Sequence, residues 1–294
     1  MSGRIPIGDH SMKLATLATR DVLHVAPDDS LDKAIGLMEE HNIHHLPVVA
    51  TGVVVGMVSD RDILLAVGWQ LTADRRVEGA RSAIIGPRRV SDVMSKPVVS
   101  LPPHISIPEA ARLMIERRIS AVVLVEHDRL AGIITRIDLL AKARELANSA
   151  ERRAVLRHPI RQHMMAHVFT VAPRDAIQEA ASLMHRKGVR HLPVVTNGEL
   201  VGIISDRDLR RTFGLEMIED ERAQAVGHLY VPPSAVMDIM TRAVRTIAPE
   251  ASLLDAADQM ARHRIGALPV TRDDKLVGII TDTDLVRILG QLAA

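Results

Sequence analysis

The sequence predicts an α/β (α+β) fold of four β-α-β-β-α repeats, packed sheet to sheet as two pairs in a disc-like, pseudo-symmetric arrangement. Three observations predict it. First, seven positions recur without a gap in four copies: Val22, Pro27, Ala34, Met38, Gly56, Ser59 and Asp62 in the first copy match Val98, Pro103, Ala110, Met114, Gly132, Thr135 and Asp138 in the second. The third copy carries Val168, Pro173, Ala180, Met184, Gly202, Ser205 and Asp208, and the fourth Val244, Pro249, Ala256, Met260, Gly278, Thr281 and Asp284. Second, the offsets between copies run 76, 70, 76, which groups them as one-two and three-four with a superperiod of 146 residues. Third, 47% of the 294 residues are hydrophobic, yet only Trp69, Phe169, Phe213 and Tyr230 are aromatic. The core is therefore built from Val, Ile, Leu, Ala and Met. A lone unit of roughly 54 residues would expose an apolar sheet face, so the copies must pack in pairs.

Each element follows in order. A β-rich run (22–25, 98–101, 168–171 and 244–247) ends at a proline, which stops a strand. Three residues on, Ser30, Ser106 and Ser252 are N-caps, and Ser106 with Glu109 forms a capping-box pattern. The third copy has Ala176 there and is expected to cap through Asp175. A helix follows, with apolar spacing such as Leu31, Ala34, Ile35 and Met38. Two β-branched runs joined by a short turn come next, such as 46–49 and 53–58. A second amphipathic helix opens at the Ser or Thr of the matched set.

The domain reading is a 1–13 extension, repeats at 14–67, 90–143, 160–213 and 235–291, and linkers at 68–89, 144–159 and 214–234. The middle linker reads as helical and joins the two modules. Trp69 and Tyr230 fall in linkers, Phe213 ends a repeat, and Phe169 lies in a matched strand.

Composition excludes several functions. No cysteine means no disulfide framework, no iron–sulfur or thiolate zinc site and no cysteine nucleophile. Few aromatics argue against a base-stacking platform for single strands. A formal charge of +1 gives no field that favours nucleic acid or anionic lipid. The longest apolar run, 46–58, is too short to span a bilayer, and the N-terminus shows no apolar signal core. A soluble cytoplasmic protein is expected.

The chain carries Pro47 followed by Gly56-Met-Val-Ser59-Asp-Arg-Asp62, Pro193 followed by Gly202-Ile-Ile-Ser205-Asp-Arg-Asp208, and Pro269 followed by Gly278-Ile-Ile-Thr281-Asp-Thr-Asp284. Copy two has Val123 at the proline position but keeps Gly132-Ile-Ile-Thr135-Arg-Ile-Asp138. This pattern resembles the cystathionine β-synthase (CBS) domain, and two tandem pairs resemble the gamma subunit of AMP-activated protein kinase. The resemblance covers some three quarters of the chain. It implies an adenosine-type regulatory ligand (AMP, ADP, ATP or S-adenosylmethionine), with magnesium only as a companion of ATP. It places Asp62, Asp138, Asp208 and Asp284 on the ribose hydroxyls, where a carboxylate accepts charge-assisted bonds. Ser59, Thr135, Ser205 and Thr281 stand at a helix start that can meet a phosphate. By the same resemblance, Val22, Val98, Val168 and Val244 would form part of an adenine slot. The same Ser/Thr-x-x-Asp spacing is also a capping box that needs no ligand.

Basic residues divide the copies. Copy one has His44, His45 and Arg61, and copy three has Arg190, His191 and Arg207. Copies two and four have Ser120-Ala121 and Gly266-Ala267 instead, while copy two adds Arg136. The expectation is that copies one and three supply phosphate-binding cations to clefts shared with copies two and four; the competing reading makes these solvated edge-strand cations that oppose aggregation. Adjacent histidines point to opposite faces of a strand and do not chelate one ion, so no metal site is expected. No phosphate-cradling or nucleophile-elbow motif occurs in a suitable context. The chain is therefore read as a non-catalytic module with a small-molecule ligand and an unidentified protein partner. The alternative is a constitutive interaction scaffold. An internal disc in one chain is expected, with a homodimer as the other assembly.

Overall fold

The computed structural model describes residues 14–63, 66, 87–209, 212 and 233–292. The 1–13 extension, most of linkers 68–89 and 214–234, and with them Trp69, Phe213 and Tyr230, lie outside the described residues.

Copy one holds α1 (Leu31–Glu40), then the hairpin β1 (His45–Ala50) and β2 (Val53–Ser59). Past a short helical turn, α2 (Val90–Val93), copy two has β3 (Ser100–Leu101), α3 (Ile107–Glu116), β4 (Ala121–Glu126), β5 (Arg129–Thr135) and α4 (Arg136–Ala141). The middle linker is helical as expected, in α5 (Ala143–Leu146) and α6 (Ala150–Leu156). Copy three contributes α7 (Ile177–Lys187), β6 (His191–Thr196) and β7 (Glu199–Ser205). After α8 (Val236–Ile239), copy four contributes α9 (Leu253–His263), β8 (Ala267–Arg272), β9 (Lys275–Thr281) and α10 (Asp282–Gln291).

The hairpins turn on two residues with positive φ in every copy: Thr51-Gly52, His127-Asp128, Asn197-Gly198 and Asp273-Asp274. Two positive φ values match the twist of the flanking strands. Each hairpin also shifts register after its fourth residue, at Val48, Leu124, Val194 and Val270. The matched pattern thus extends to the irregularities.

Two sequence expectations need correction. The first strand is a strand only at Ser100–Leu101; in the other copies it shrinks to one parallel bridge, Val25 to Val48, Val171 to Val194 and Ile247 to Val270. The residue just before the proline turn is the one that pairs: Val25 donates to the Pro47 carbonyl and its own carbonyl accepts from Val49. Asp175 does not cap α7. Its carboxylate accepts the Ala172 N–H at 2.7 Å and closes the preceding turn, while the Ile177 N–H donates to the Ser234 carbonyl. Ser30 and Ser252 do cap, accepting from Lys33 and Asp255. Ser106 and Glu109 form the expected box.

The pairing one-two and three-four is built by exchange. Each repeat opens with an arm carrying one fully buried aliphatic: Leu14, Val90, Ile160 or Val236. Each arm then bridges the second hairpin strand of the partner copy: Thr19 to Ile133, Ser95 to Met57, Met165 to Ile279 and Thr241 to Ile203. This crossing explains the matched glycine. A Cβ on Gly202 would sit 2.5 Å from Met240 Sδ and 3.3 Å from the Thr241 carbonyl; one on Gly278 would sit 2.5 Å from Met164 Sδ and 3.1 Å from the Met165 carbonyl. The glycine is absent of side chain because the partner's arm lies on it. We expect Gly202→Ala to cost about 1–3 kcal/mol through overpacking. Adding Met240→Ala should return part of that loss. Chemical denaturation of the two variants checks this, and an unaltered single variant would refute the close crossing.

Between modules, α10 packs on α3 and α4, and α9 packs on α4, so copies two and four meet helix to helix. Their side chains share one core, from Leu14, Ile107, Met114 and Leu140 to Leu253, Met260, Val286 and Leu289. Copies one and three keep separate smaller cores around Leu46 and Leu192.

Candidate functional site

The second helix of every copy starts on the same four-residue turn. The Asp carboxylate Oδ2 accepts from both the backbone N–H and the hydroxyl of the Ser or Thr three residues before it. These distances are 2.8 and 2.6 Å for Ser59–Asp62, 2.8 and 2.7 Å for Thr135–Asp138, 2.7 and 2.6 Å for Ser205–Asp208, and 3.0 and 2.6 Å for Thr281–Asp284. The capping reading therefore holds in all four copies. Only one oxygen is spent on it. Asp62 Oδ1 accepts from Ser95 Oγ at 3.3 Å and Asp284 Oδ1 from Arg287 at 3.1 Å. Among the described residues, Oδ1 of Asp138 and of Asp208 accepts no hydrogen bond. Val22, Val98, Val168 and Val244 are each half-buried, outside the fully buried core.

The residue after each Ser or Thr ties that turn to the entry of the first hairpin strand. The N–H groups of Asp60, Arg136, Asp206 and Asp282 donate to the carbonyls of His44, Ser120, Arg190 and Gly266 at 3.1, 3.1, 3.0 and 2.9 Å. These four equivalent corners carry the residues in which the copies differ. His44 Nδ1 pairs with Asp60 at 2.9 Å. His45 Nε2 reaches Ser120 Oγ of copy two at 2.8 Å. A Cβ on Gly266 of copy four would stand 3.2 Å from the His191 ring. The small residues of copies two and four thus make room for the histidines of copies one and three.

The expectation that His45 and His191 act as cations fails at neutral pH. Both residues are half-buried, but close packing around the rings desolvates each imidazole and pushes it down to about 4, and the nearby Asp60 and Asp206 carboxylates only partly oppose it. At neutral pH both rings are neutral hydrogen-bonding or packing groups, which argues equally against reading His45 and His191 as edge-strand cations. Arg190 and Arg207 of copy three depress His45 as well, so their charge is felt across the junction with copy one.

Arg136, also expected to meet a phosphate, is 5% exposed and already engaged. Its guanidinium donates to the Ile119 carbonyl at 2.8 and 3.1 Å, to Thr283 Oγ1 at 2.7 Å and to Asp282 Oδ1 at 3.4 Å. Arg190 joins the same carboxylate at 3.0 Å. Burial works to raise the Asp282 pKa, but Arg190 and Arg136 outweigh it and hold the carboxyl below its ordinary value. Asp282 lies outside the expected site residues, and its signal in the sequence is its place directly after the matched Thr281. Arg61 and Arg207 are exposed on the first turns of their helices.

Two surface cavities lie elsewhere. One of about 440 Å³ is lined by Arg144, Thr246, Asp255, Asp258 and Arg262, and one of about 540 Å³ by Arg20, Glu126, His127 and Arg129. Neither includes an expected site residue, and both are open depressions without convergent buried polar groups. Among the described residues, no group of three or more His, Asp or Glu could hold a metal ion, and no helix is long and apolar enough to cross a membrane.

Comparison with known proteins places this geometry. The sequence profile described as the CBS domain matches residues 14–68, 90–145, 160–214 and 236–291. The uncharacterized protein MJ1225 of Methanocaldococcus jannaschii is 28% identical over 284 residues, covering 94% of this chain and 97% of its own. Its crystal structure, described with a proposal of homology to g-AMPK, superposes with a TM-score of 0.74 at 24% identity, over 94% of this chain and 99% of that one. An uncharacterized conserved protein from Pyrococcus horikoshii superposes with a TM-score of 0.61 at 24% identity, over 95% and 100% of the two chains. The CBS domain-containing protein YhcV of Bacillus subtilis is 36% identical over 134 residues, 45% of this chain and 87% of its own. With the CBS profile matched in four repeats over most of its length, the chain belongs to the CBS domain family.

Proposed function

We propose that the protein is a non-catalytic regulatory module that binds an adenosine nucleotide (AMP, ADP or ATP) in clefts between paired repeats and passes the bound state to a protein partner. The observation that carries this reading is the half-used carboxylate at Asp138 and Asp208. One oxygen closes the helix cap, and the other accepts nothing from the described residues. A ribose diol supplies two donors to such an oxygen. The half-buried valines 22, 98, 168 and 244 offer aliphatic surface for a purine in a chain with almost no aromatic side chains. Arg61, Arg190 and Arg207 are cations at these corners that could meet a phosphate; His45, Ser59, Thr135, Ser205 and Thr281 are neutral groups and His44 is paired with Asp60 at the same corners. With ATP, a magnesium ion would arrive on the nucleotide. The packing of copies two and four within one chain supports an internal disc, and partner signalling requires the ligand to favour one arrangement of the modules.

Thermal unfolding with and without each nucleotide is the test. A ligand at 100 times its dissociation constant should add about 2.7 kcal/mol. Asp138→Asn and Asp208→Asn retain a capping oxygen but lose the charged acceptor, so they should remain folded and lose most of that gain. No stabilisation of the wild type by any adenine nucleotide at millimolar level would leave the scaffold reading in its place, in which the four turns serve as caps alone.

A further inference from the structure

The central feature that the nucleotide reading does not use is Asp282. It is 6% exposed, and it is shared by cations from two other repeats: Arg190 of copy three and Arg136 of copy two. The two partners differ in freedom. Arg136 is fixed by the Ile119 carbonyl and Thr283, and its side chain is 6% exposed. Arg190 makes its contact from the rim, with its side chain 30% exposed. Its guanidinium can leave without orphaning a buried charge, because Asp282 would keep Arg136 and the Thr283 hydroxyl at 3.0 Å. A buried carboxylate with no partner would be costly, and here the second arginine removes that cost.

We infer that Asp282 is an internal competitor for the anionic end of the ligand: it holds Arg190 until a phosphate takes the guanidinium over. This rests on the reading of the copy three–copy four cleft as a nucleotide site. Asp282 thereby determines specificity, since only an anion that binds Arg190 better than a carboxylate does is admitted. It also joins the cleft to the contact between modules, because the carboxylate that Arg190 leaves is the one Arg136 grips from copy two. Phosphate outcompetes carboxylate at a guanidinium by its higher charge and bidentate geometry, so a neutral adenosine gains nothing from this exchange.

Titration calorimetry of the full chain with pyrophosphate and, separately, with AMP tests the competition. Asp282→Asn is nearly isosteric and keeps the Thr283 contact. Removing the competing charge should tighten pyrophosphate binding by about tenfold or more, while Arg190→Gln should abolish the gain when added to it. Equal or weaker pyrophosphate binding by the folded Asp282→Asn variant overturns the inference, as does a gain that survives Arg190→Gln. Should Asp282→Asn fail to fold, Asp282→Asn with Arg136→Met removes the buried pair together and is read in the same way. Pyrophosphate carries no adenosine, so the two proposals fail separately. Tightened pyrophosphate without any AMP binding sinks the nucleotide reading alone; AMP bound equally by wild type and Asp282→Asn sinks the competitor alone.

Discussion

Acidification from about pH 7 to about pH 5 is expected to remove about 2 kcal/mol of folding stability through each of His45 and His191. The sign follows from the folded values. Each imidazole titrates at about 4 in the folded protein, against 6.5 when free. Between those values the unfolded chain takes up a proton that the native protein refuses. The stabilisation is full above 6.5 and is lost as pH falls towards 4. The groups facing His45 are Ser120, Asp60, His44, Arg190 and Arg207. Those facing His191 are Gly266, Asp206, Asp282, Arg190 and Arg207. Acids and arginines are present around both, and burial is the largest effect at each. Urea unfolding at several pH values between 7 and 5 should show the decline, over a range in which ordinary carboxylates stay largely ionised. The double variant His45→Gln, His191→Gln should flatten it. A variant with the wild-type slope would show that these rings are solvated.

Gly290→Leu should separate the modules. Gly290 lies in α10, and a Cβ built there would meet Arg112 Cγ at 3.1 Å, the Arg112 nitrogen at 3.4 Å and the Ala111 carbonyl carbon at 3.7 Å in α3. The helices cross at backbone distance, with Ala110 and Ala111 fully buried. A leucine needs space that only a shift of the helix can supply. Overpacking of this kind costs about 1–3 kcal/mol and more where backbone is the obstacle. The shared core of copies two and four would be opened with it, so calorimetry should show two transitions where the wild type shows one. Gly290→Ala, by contrast, asks the Arg112 stem to yield by a few tenths of an ångström and gains helix propensity of about 1 kcal/mol. A leucine variant that melts like the wild type would mean that α10 does not rest on α3.

Much of the fold was legible because it is written four times. The prolines, the Ser30, Ser106 and Ser252 caps, the hairpins and the Ser/Thr helix starts are local signals, and repetition raises each above coincidence. The first strand is shorter than its sequence suggests at 22–25, 168–171 and 244–247 because β-branched residues mark a chain that passes beside a sheet as readily as one that pairs along its length. The arms are not legible as contacts, although Leu14, Val90, Ile160 and Val236 obey the same offsets. Their acceptor is another repeat, and sequence periodicity reports equivalence, not contact. At the site, the Asp and Ser/Thr positions were legible from spacing, whereas the charge of His45 and His191 was not. An imidazole beside a leucine reads as a cation until its burial is known. Arg136 reads as a ligand residue in the sequence because its partner Asp282 lies 146 residues away.

The exchange of arms also bears on how such a chain could arise. Cutting between copies one and two would strand Leu14 without its acceptor and leave β2 without the segment around Ser95 that lines it. Neither half would inherit a complete unit. The smallest stretch that holds both arms and both of their acceptors is the pair, and the longest period in the chain, 146 residues, is the length of that pair with its linker. The chain thus bears the mark of a duplication whose breakpoints fell outside the exchange.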